Sequence, residues 1–390
     1  MSAAGDSQVN LSNWREAPYN RAAFHRVSEI LPTAPVPGAR AGDFGFAPSR
    51  LSLDGLQTTQ ADGSAIGLDG FLEATSTDAM VVLADGKLVH EYYAPGMPQD
   101  ATHILMSSTK AITGLVAGGL ASSGQVDLDD LATRYVPEVA LTPYAGATLR
   151  HLLDMRCVLP FDASMQPAYY EAVGWAPATA DAGRGGLHTF ISNLQGPIAE
   201  HGGPFRYVSS NTDLLGWALE RATGKPFAAL ASEGLWRPLG AEHDAQITLA
   251  RDGAPMCAGG FSATARDFAR LGQLIVDDGR RGGAQVLPEA VLADILQNGD
   301  RPSWANGEWG AFFAPVGQVM SYRSGWYTID RSPQIQFAMG IHGQNLIVDR
   351  ANRIVIAKLS SWPIPFDYGT FLLTHRTFDE MLRLLANPKA

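Results

Sequence analysis

The residues best suited to covalent chemistry in this 390-residue chain are Ser107 and Lys110, in the run Leu105-Met106-Ser107-Ser108-Thr109-Lys110. On a helix, positions i and i+3 lie on one face a turn apart, so the serine hydroxyl and the lysine amine can meet. Burial near a helix N-terminus disfavours the ammonium form, desolvation and the positive helix end acting in the same direction. A neutral amine then takes the hydroxyl proton and makes Ser107 a nucleophile. The spacing alone is weak, because a capping serine beside a solvated lysine is the commoner meaning of S-x-x-K. Context shifts the balance. Lysine occurs only at positions 87, 110, 225, 358 and 389, and the residues after Lys110 (AITGLVAGGLASSG) are small and apolar. Such a helix is buried, and a lysine in its first turn needs a reason to be there.

Two further segments bear on the same chemistry. Phe205-Arg206-Tyr207-Val208-Ser209-Ser210-Asn211 stands just before a helical pattern. A tyrosine hydroxyl near a Ser/Lys pair can relay a proton to a leaving group. The plain alternative is a core tyrosine, with Ser210 or Asn211 as an ordinary N-cap. Gly340-Ile341-His342-Gly343-Gln344 closes a strand pattern. Glycine there permits close backbone approach, and a strand-edge N–H together with that of Ser107 would make an oxyanion hole. A glycine bulge is the alternative, and His342 suits a core as well as a catalytic position.

The elements that must position these residues follow from periodicity. Ala79–Ala84, Asp85-Gly86 and Leu88–Tyr93 predict a hairpin closed by a type I′ turn. A buried helix begins near Ser107 or Ser108 and stops at Gly124. From about residue 128 to 250 the patterns are mostly helical (LRHLLDM, HTFISNL, TDLLGWALERATG), and ATARDFARLGQLIVDDG is an amphipathic helix. Residues 335–341, 345–349 and 353–359 read as strands, and a closing helix spans about 370–385. The expected fold is α+β: one antiparallel sheet built from both ends of the chain, flanked by helices, with an all-helical subdomain inserted. In domain terms, residues 1–75 form an irregular arm. Residues 76–140 with 255–390 form the α/β domain, and residues 141–254 form the helical subdomain carrying Tyr207.

Composition excludes several functions. Lys+Arg 29 against Asp+Glu 39 gives a net charge of −10, with no basic run, which argues against nucleic acid and anionic membranes as partners. Cys157 and Cys257 cannot make a disulfide framework. There is no G-x-S-x-G, P-loop, G-x-G-x-x-G or H-E-x-x-H, and the histidines are dispersed, so neither a metal nor another cofactor is expected. The N-terminus lacks a basic start and an apolar core, and no apolar run approaches a membrane span. A cytoplasmic location and a small-molecule substrate are the expectation, with a homodimer as the assembly considered.

Taken in order, these segments resemble the serine β-lactamase, penicillin-binding protein and DD-peptidase superfamily, in its class C-like branch. GQVDLDDLATRYVPE, ATLRHLLDM, YVSSNTDLLGWALERATGKPF and AGGFSATARDFARLGQLIVDDG are similar to segments of that family. HILMSSTK, YVSSNTD, GIHGQN, KLSSWP and NWREAPYNR resemble the amidases that cleave 6-aminohexanoate (nylon) oligomers, which also hydrolyse short acyl esters. The resemblance implies a β-lactamase-like fold and an acyl-enzyme on Ser107, with Lys110 as base, Tyr207 as proton shuttle, and the N–H groups of Ser107 and Ile341 as oxyanion hole. It leaves two assignments of the shuttle. The family's Y-x-N spacing to Asn211 falls on Ser209, whereas the nylon-oligomer branch shares the longer spacing to Tyr207. Tyr207 is favoured, with Ser209 and Asn211 in support. Trp175 matches that branch, whose substrate-contacting tyrosine aligns with Met165, near Tyr169 and Tyr170. Tyr170, His342 and Gly343 complete the candidate supporting set. The K-T-G of β-lactamases is missing, Ala338-Met339-Gly340 standing there, so weak β-lactam turnover is expected. A carboxylesterase or DD-peptidase on the same fold, and a non-catalytic binding module, are the competing readings.

Overall fold

The computed structural model describes residues 9–39, 42, 45–179 and 185–387. The first eight residues of the expected arm, and Lys389, lie outside the described residues.

The main sheet has seven antiparallel strands: β1 (Thr77–Ala84), β2 (Lys87–Tyr93), β3 (Met320–Arg323), β4 (Trp326–Ile329), β5 (Ile335–Gly340), β6 (Gln344–Asp349) and β7 (Ile354–Ser360). Their order across the sheet is β3-β4-β5-β6-β7-β1-β2, so the N-terminal hairpin adds to the C-terminal meander through the β7–β1 pair. Asp85 and Gly86 both have positive φ, 50° and 71°, as the type I′ turn requires.

Both faces of the sheet are covered, and the strand period of two sorts the side chains between them. Val81, Leu83, Leu346, Val348, Val355 and Ala357 pack into one core, on the side of helix α3 (Ala265–Val276). Met80, Val82, Ile347, Ile354 and Ile356 pack into the other, with Phe371, Phe378 and Met381 of the closing helix α4 (Tyr368–Ala386). In α3, Ala265, Phe268, Leu271, Leu274 and Ile275 are all buried, the stripe that the sequence pattern predicts.

Two expectations need correction. A second, four-stranded sheet (Thr33–Val36, Ala245–Thr248, Phe261–Ala263, His103–Ile104) ties the arm to the segment before the Ser107 helix, so there is not one sheet. The arm is also less irregular than its Pro and Gly content suggests, containing the strand Thr33–Val36 and the helix Leu68–Ala74. These pieces are short and draw their stability from partners remote in sequence, which local patterns do not display. Among the described residues no helix is long and apolar enough to cross a membrane.

Helix α1 (Thr109–Ser122) runs through the centre and carries Lys110, and α2 (Ser209–Thr223) packs beside it, ending at Gly224 in the left-handed conformation (φ 68°). The β3–β4 turn lies against α1 so closely that a β-carbon on Gly114 would stand 1.8 Å from the Ser324 carbonyl oxygen. A charged network pins that turn. Asp154 accepts from Ser324 N at 3.1 Å and from Arg323 Nη1 at 2.7 Å, while Arg150 Nη1 donates to Ser324 Oγ at 2.8 Å.

Candidate active site

The chain enters α1 through a 3₁₀ turn, Met106–Ser108, in which Met106 takes a left-handed φ of 47°. A non-glycine residue held there is strained, and such strain persists only where surrounding contacts fix it. Here they do: Leu105 N donates to Phe261 O at 2.8 Å, Phe261 N donates to Thr109 Oγ1 at 3.1 Å, and Met106 is fully buried. Ser107 is left partly accessible at the helix start. Neither Ser107 nor Ser108 acts as the ordinary cap that was the plain alternative, since α1 has no side-chain cap.

Lys110 is 2% exposed. Its Nζ lies 3.2 Å from Ser107 Oγ, 3.2 Å from Ser209 Oγ and 2.8 Å from the Ala258 carbonyl oxygen. A carbonyl only accepts, so one amine hydrogen is committed to Ala258. A neutral amine can give its second hydrogen to Ser209 and keep its lone pair for the Ser107 proton. Burial pulls the Lys110 pKa down to about 7, the negative charge of Asp213 working against that. A neutral amine is thus populated near neutral pH.

Tyr207 presents its ring 4.8 Å from Lys110 Nζ, and its phenol interacts with Ser107. Burial raises the phenol well above its ordinary pKa, so it is a proton donor at neutral pH. Its backbone N–H donates to Glu308 at 3.2 Å and its ring stacks on Trp309 at 4.3 Å, so the segment 303–309 holds it from behind. The structure brings Tyr207 and Ser209 both to the Ser107–Lys110 pair, Tyr207 on the Ser107 side and Ser209 on the amine.

One member of the site was not legible beforehand. Asp213, one turn after Ser209 on α2, is 2% exposed and accepts from Tyr169 Oη at 2.5 Å and from Ala258 N at 2.9 Å. Burial raises its pKa, while these two donors and Lys110 lower it. It braces the carbonyl that holds Lys110 and supplies the negative charge that opposes loss of the lysine proton. The i+4 step from Ser209 in SSNTD was the available signal. A pH prediction follows. The rate should rise through about pH 7 as Lys110 loses its proton. Asp213→Asn removes the charge favouring the ammonium form, so the rising limb of kcat/KM should move to lower pH. A limb that stays, or moves up, contradicts the coupling.

The end of β5 closes the site opposite α1. A β-carbon on Gly340 would lie 2.5 Å from Leu105 O and 2.9 Å from Ser107 N, so only glycine lets this strand approach the Ser107 turn. Ile341 follows at once and lines the same cavities as Ser107. Ser107 and Ile341 thus line one wall of both cavities.

Two cavities meet at Ser107, Tyr207, Glu308 and Ile341. The more polar one, about 300 Å³, includes Asp162, Gln166, Tyr170, Trp175 and Ser209. Tyr170 stacks on Trp175 at 6.2 Å, and the guanidinium of Arg15, from the arm, sits 3.9 Å over the Tyr170 ring. The other is an apolar chamber of about 440 Å³. Met165, the position aligned with a substrate-contacting tyrosine, lines a different depression with Phe190 and Thr189, whereas Tyr170 does reach the cleft.

Three supporting residues lie behind the site and not in it. Asn211 is fully buried, its amide Nδ2 3.6 Å from Met155 Sδ, because its step along α2 turns it toward the core. His342 is fully buried, donates from Nδ1 to Trp362 O at 2.8 Å and meets the Phe24 ring at 5.0 Å. Burial lowers its pKa to about 4, so it is a neutral core histidine. Gly343 (φ 91°) exists for Trp362, whose indole nitrogen would stand 2.3 Å from a β-carbon there. Among the described residues no cluster of three or more His, Cys, Asp or Glu could hold a metal ion.

Known proteins share this architecture and this sequence. The Beta-lactamase family model matches residues 68–375. A 6-aminohexanoate-dimer hydrolase of Paenarthrobacter ureafaciens is 36% identical over 368 residues, covering 93% of this chain and 90% of the relative. Among solved structures, a Bacillus anthracis protein assigned as a 6-aminohexanoate-dimer hydrolase superposes with a TM-score of 0.89 at 27% identity, over 100% of both chains. EstCE1, a hydrolase with promiscuous acyltransferase activity, shares the fold with a TM-score of 0.60 at 15% identity, over 79% of this chain and 98% of its own. The chain belongs to the β-lactamase family, as a hydrolase of that fold similar to the 6-aminohexanoate-dimer hydrolases.

Proposed function

We propose that the protein is a serine hydrolase that cleaves amides of the 6-aminohexanoate-oligomer type and short-chain acyl esters through an acyl-enzyme on Ser107. The observation that carries this reading is a buried Lys110 amine within hydrogen-bond reach of Ser107, Ser209 and a carbonyl oxygen that fixes it. In acylation, Lys110 takes the Ser107 proton while Oγ attacks the carbonyl carbon. The oxyanion that forms is received by the N–H groups of Ser107 and Ile341. Tyr207 gives its proton to the departing amine or alcohol and regains one from Lys110. Water repeats the sequence on the acyl-enzyme and returns free Ser107. The similarity to 6-aminohexanoate-dimer hydrolases supports the amide half of the reading.

The test is parallel hydrolysis of 6-aminohexanoate dimer, p-nitrophenyl acetate, p-nitrophenyl butyrate and nitrocefin. Amide and ester turnover with slow nitrocefin turnover is expected, because Ala338-Met339-Gly340 offers a β-lactam carboxylate no cation. Ester turnover without dimer cleavage would reduce the reading to a carboxylesterase. Inertness toward all four would leave a binding module.

A further inference from the structure

The apolar chamber beside Ser107 is larger than the polar cleft and has no part in the chemistry described so far. Its walls are mostly aromatic, Trp309, Phe312, Phe313, Tyr327, Phe366 and Phe371 among them, with Asn345 and Thr374 as neutral polar members. Trp309, Phe313 and Tyr327 stand nearly parallel, with Phe313–Tyr327 at 5.8 Å and 10° and Trp309–Phe313 at 5.6 Å and 19°. Its volume of about 440 Å³ falls within the range of sites that take small organic molecules. His375 contributes no charge, since burial lowers its pKa to about 3 and its ring meets Phe337, Phe371 and Phe378 edge-on. Among the described residues no lysine or arginine lines the chamber. Among the described residues Glu308 is its one carboxylate, exposed, shared with the cleft and already accepting from Tyr207 N.

On these grounds, and resting on the serine-hydrolase reading, we propose that preferred substrates carry an uncharged ring-sized apolar group, aromatic or alicyclic, on one side of the scissile bond, and that this group fills the chamber. An ammonium or carboxylate terminus placed there would lose its hydration and meet only neutral polar atoms such as Asn345 Oδ1, Trp362 Nε1 and His375 Nε2, with no opposite charge to replace the water. A linear zwitterionic amide must keep both charged ends in the cleft or in solvent and leave the chamber unfilled. A neutral ring gains burial against these aromatic walls while its carbonyl remains at Ser107. Each buried methylene is worth roughly fourfold in affinity. A ring in place of a methyl group should therefore raise kcat/KM by ~10-fold or more.

The experiment measures kcat/KM of the whole protein on two ester series, each value divided by the alkaline hydrolysis rate of the same ester. One series varies the acyl group of p-nitrophenyl esters (acetate, butyrate, cyclohexylacetate, phenylacetate, 4-(aminomethyl)phenylacetate). The other varies the alcohol of acetate esters (methanol, cyclohexylmethanol, 2-naphthol). A rise of ~10-fold or more from methyl-sized to ring-sized groups is expected in one series, which identifies the side of the bond that enters the chamber. If it is the acyl series, the aminomethyl analogue should lose that gain. Phe312→Asp, at a half-exposed wall position, should lower the ring-to-methyl ratio by ~10-fold. Flat profiles in both series, or an unchanged ratio in folded Phe312→Asp, overturn the inference while ester turnover keeps the serine-hydrolase reading intact. Absence of all turnover, with Ser107 unlabelled by a fluorophosphonate, overturns the underlying reading instead.

Discussion

Alanine at position 107 is expected to lower ester and amide turnover by on the order of 10⁴–10⁶, as deletion of a covalent nucleophile does elsewhere. In the proposed mechanism Ser107 supplies the atom that forms the acyl bond, and the adjacent Ser108 does not replace it, its Oγ being buried without a hydrogen-bond partner among the described residues. Lys110→Ala should be nearly as damaging, because the serine would keep its proton. Lys110→Arg separates charge from basicity. A guanidinium preserves a cation beside Ser209 and Ala258 but cannot be deprotonated, so it should fail as alanine does. The Ser107→Ala/Lys110→Ala double variant should be no slower than the worse single variant, since the two act as one unit. Losses that multiply in the double variant, or near-normal ester turnover in Ser107→Ala, would show that the pair is not the catalytic unit. Steady-state kinetics on p-nitrophenyl acetate, with circular dichroism to confirm folding, reads all of these.

Tyr207→Phe should separate amide from activated-ester chemistry. An amine leaves only if it is protonated as it departs, and positioned proton donation is worth ~10²–10⁴ in rate. A p-nitrophenolate needs no such proton. Phenylalanine retains the stacking on Trp309 and removes only the hydroxyl beside Ser107. Amide turnover should therefore fall by ~10²–10⁴, and p-nitrophenyl ester turnover by much less. Ser209→Ala removes a partner of the amine and not a donor to the leaving group, so its losses should be modest and similar on both substrates. The opposite pattern, selective amide loss in Ser209→Ala and none in Tyr207→Phe, would hand the shuttle role to Ser209.

Much of the candidate site's geometry was legible because its signals are local. The three-residue step from Ser107 to Lys110 encodes a helical face, and the apolar run after Lys110 encodes burial. The Asp85-Gly86 hairpin and the α3 stripe were readable for the same reason: a turn chemistry and a helical period are written within a dozen residues. What was not legible depends on contacts between distant segments. Asp213 acquires its place from Tyr169 and Ala258, in other elements. The Thr33–Val36 strand has meaning only against Ala245–Thr248. Asn211 read as a site residue through the family's Y-x-N spacing, and His342 through its place in the strand end at residues 340–344. Their backbone directions turn both side chains into the core, which residue spacing alone does not reveal. The aromatic chamber is likewise assembled from residues spread between 309 and 371, none of which forms a motif.

The most direct test of the account is intact-protein and peptide mass spectrometry after rapid acid quench of the protein turning over a slow p-nitrophenyl ester. The account predicts a mass increase of one acyl group, located on the peptide at Ser107, absent from Ser107→Ala and lost again on dilution into substrate-free buffer at neutral pH. An adduct on any other residue, or full turnover with no covalent species under conditions where acylation outruns deacylation, would contradict it.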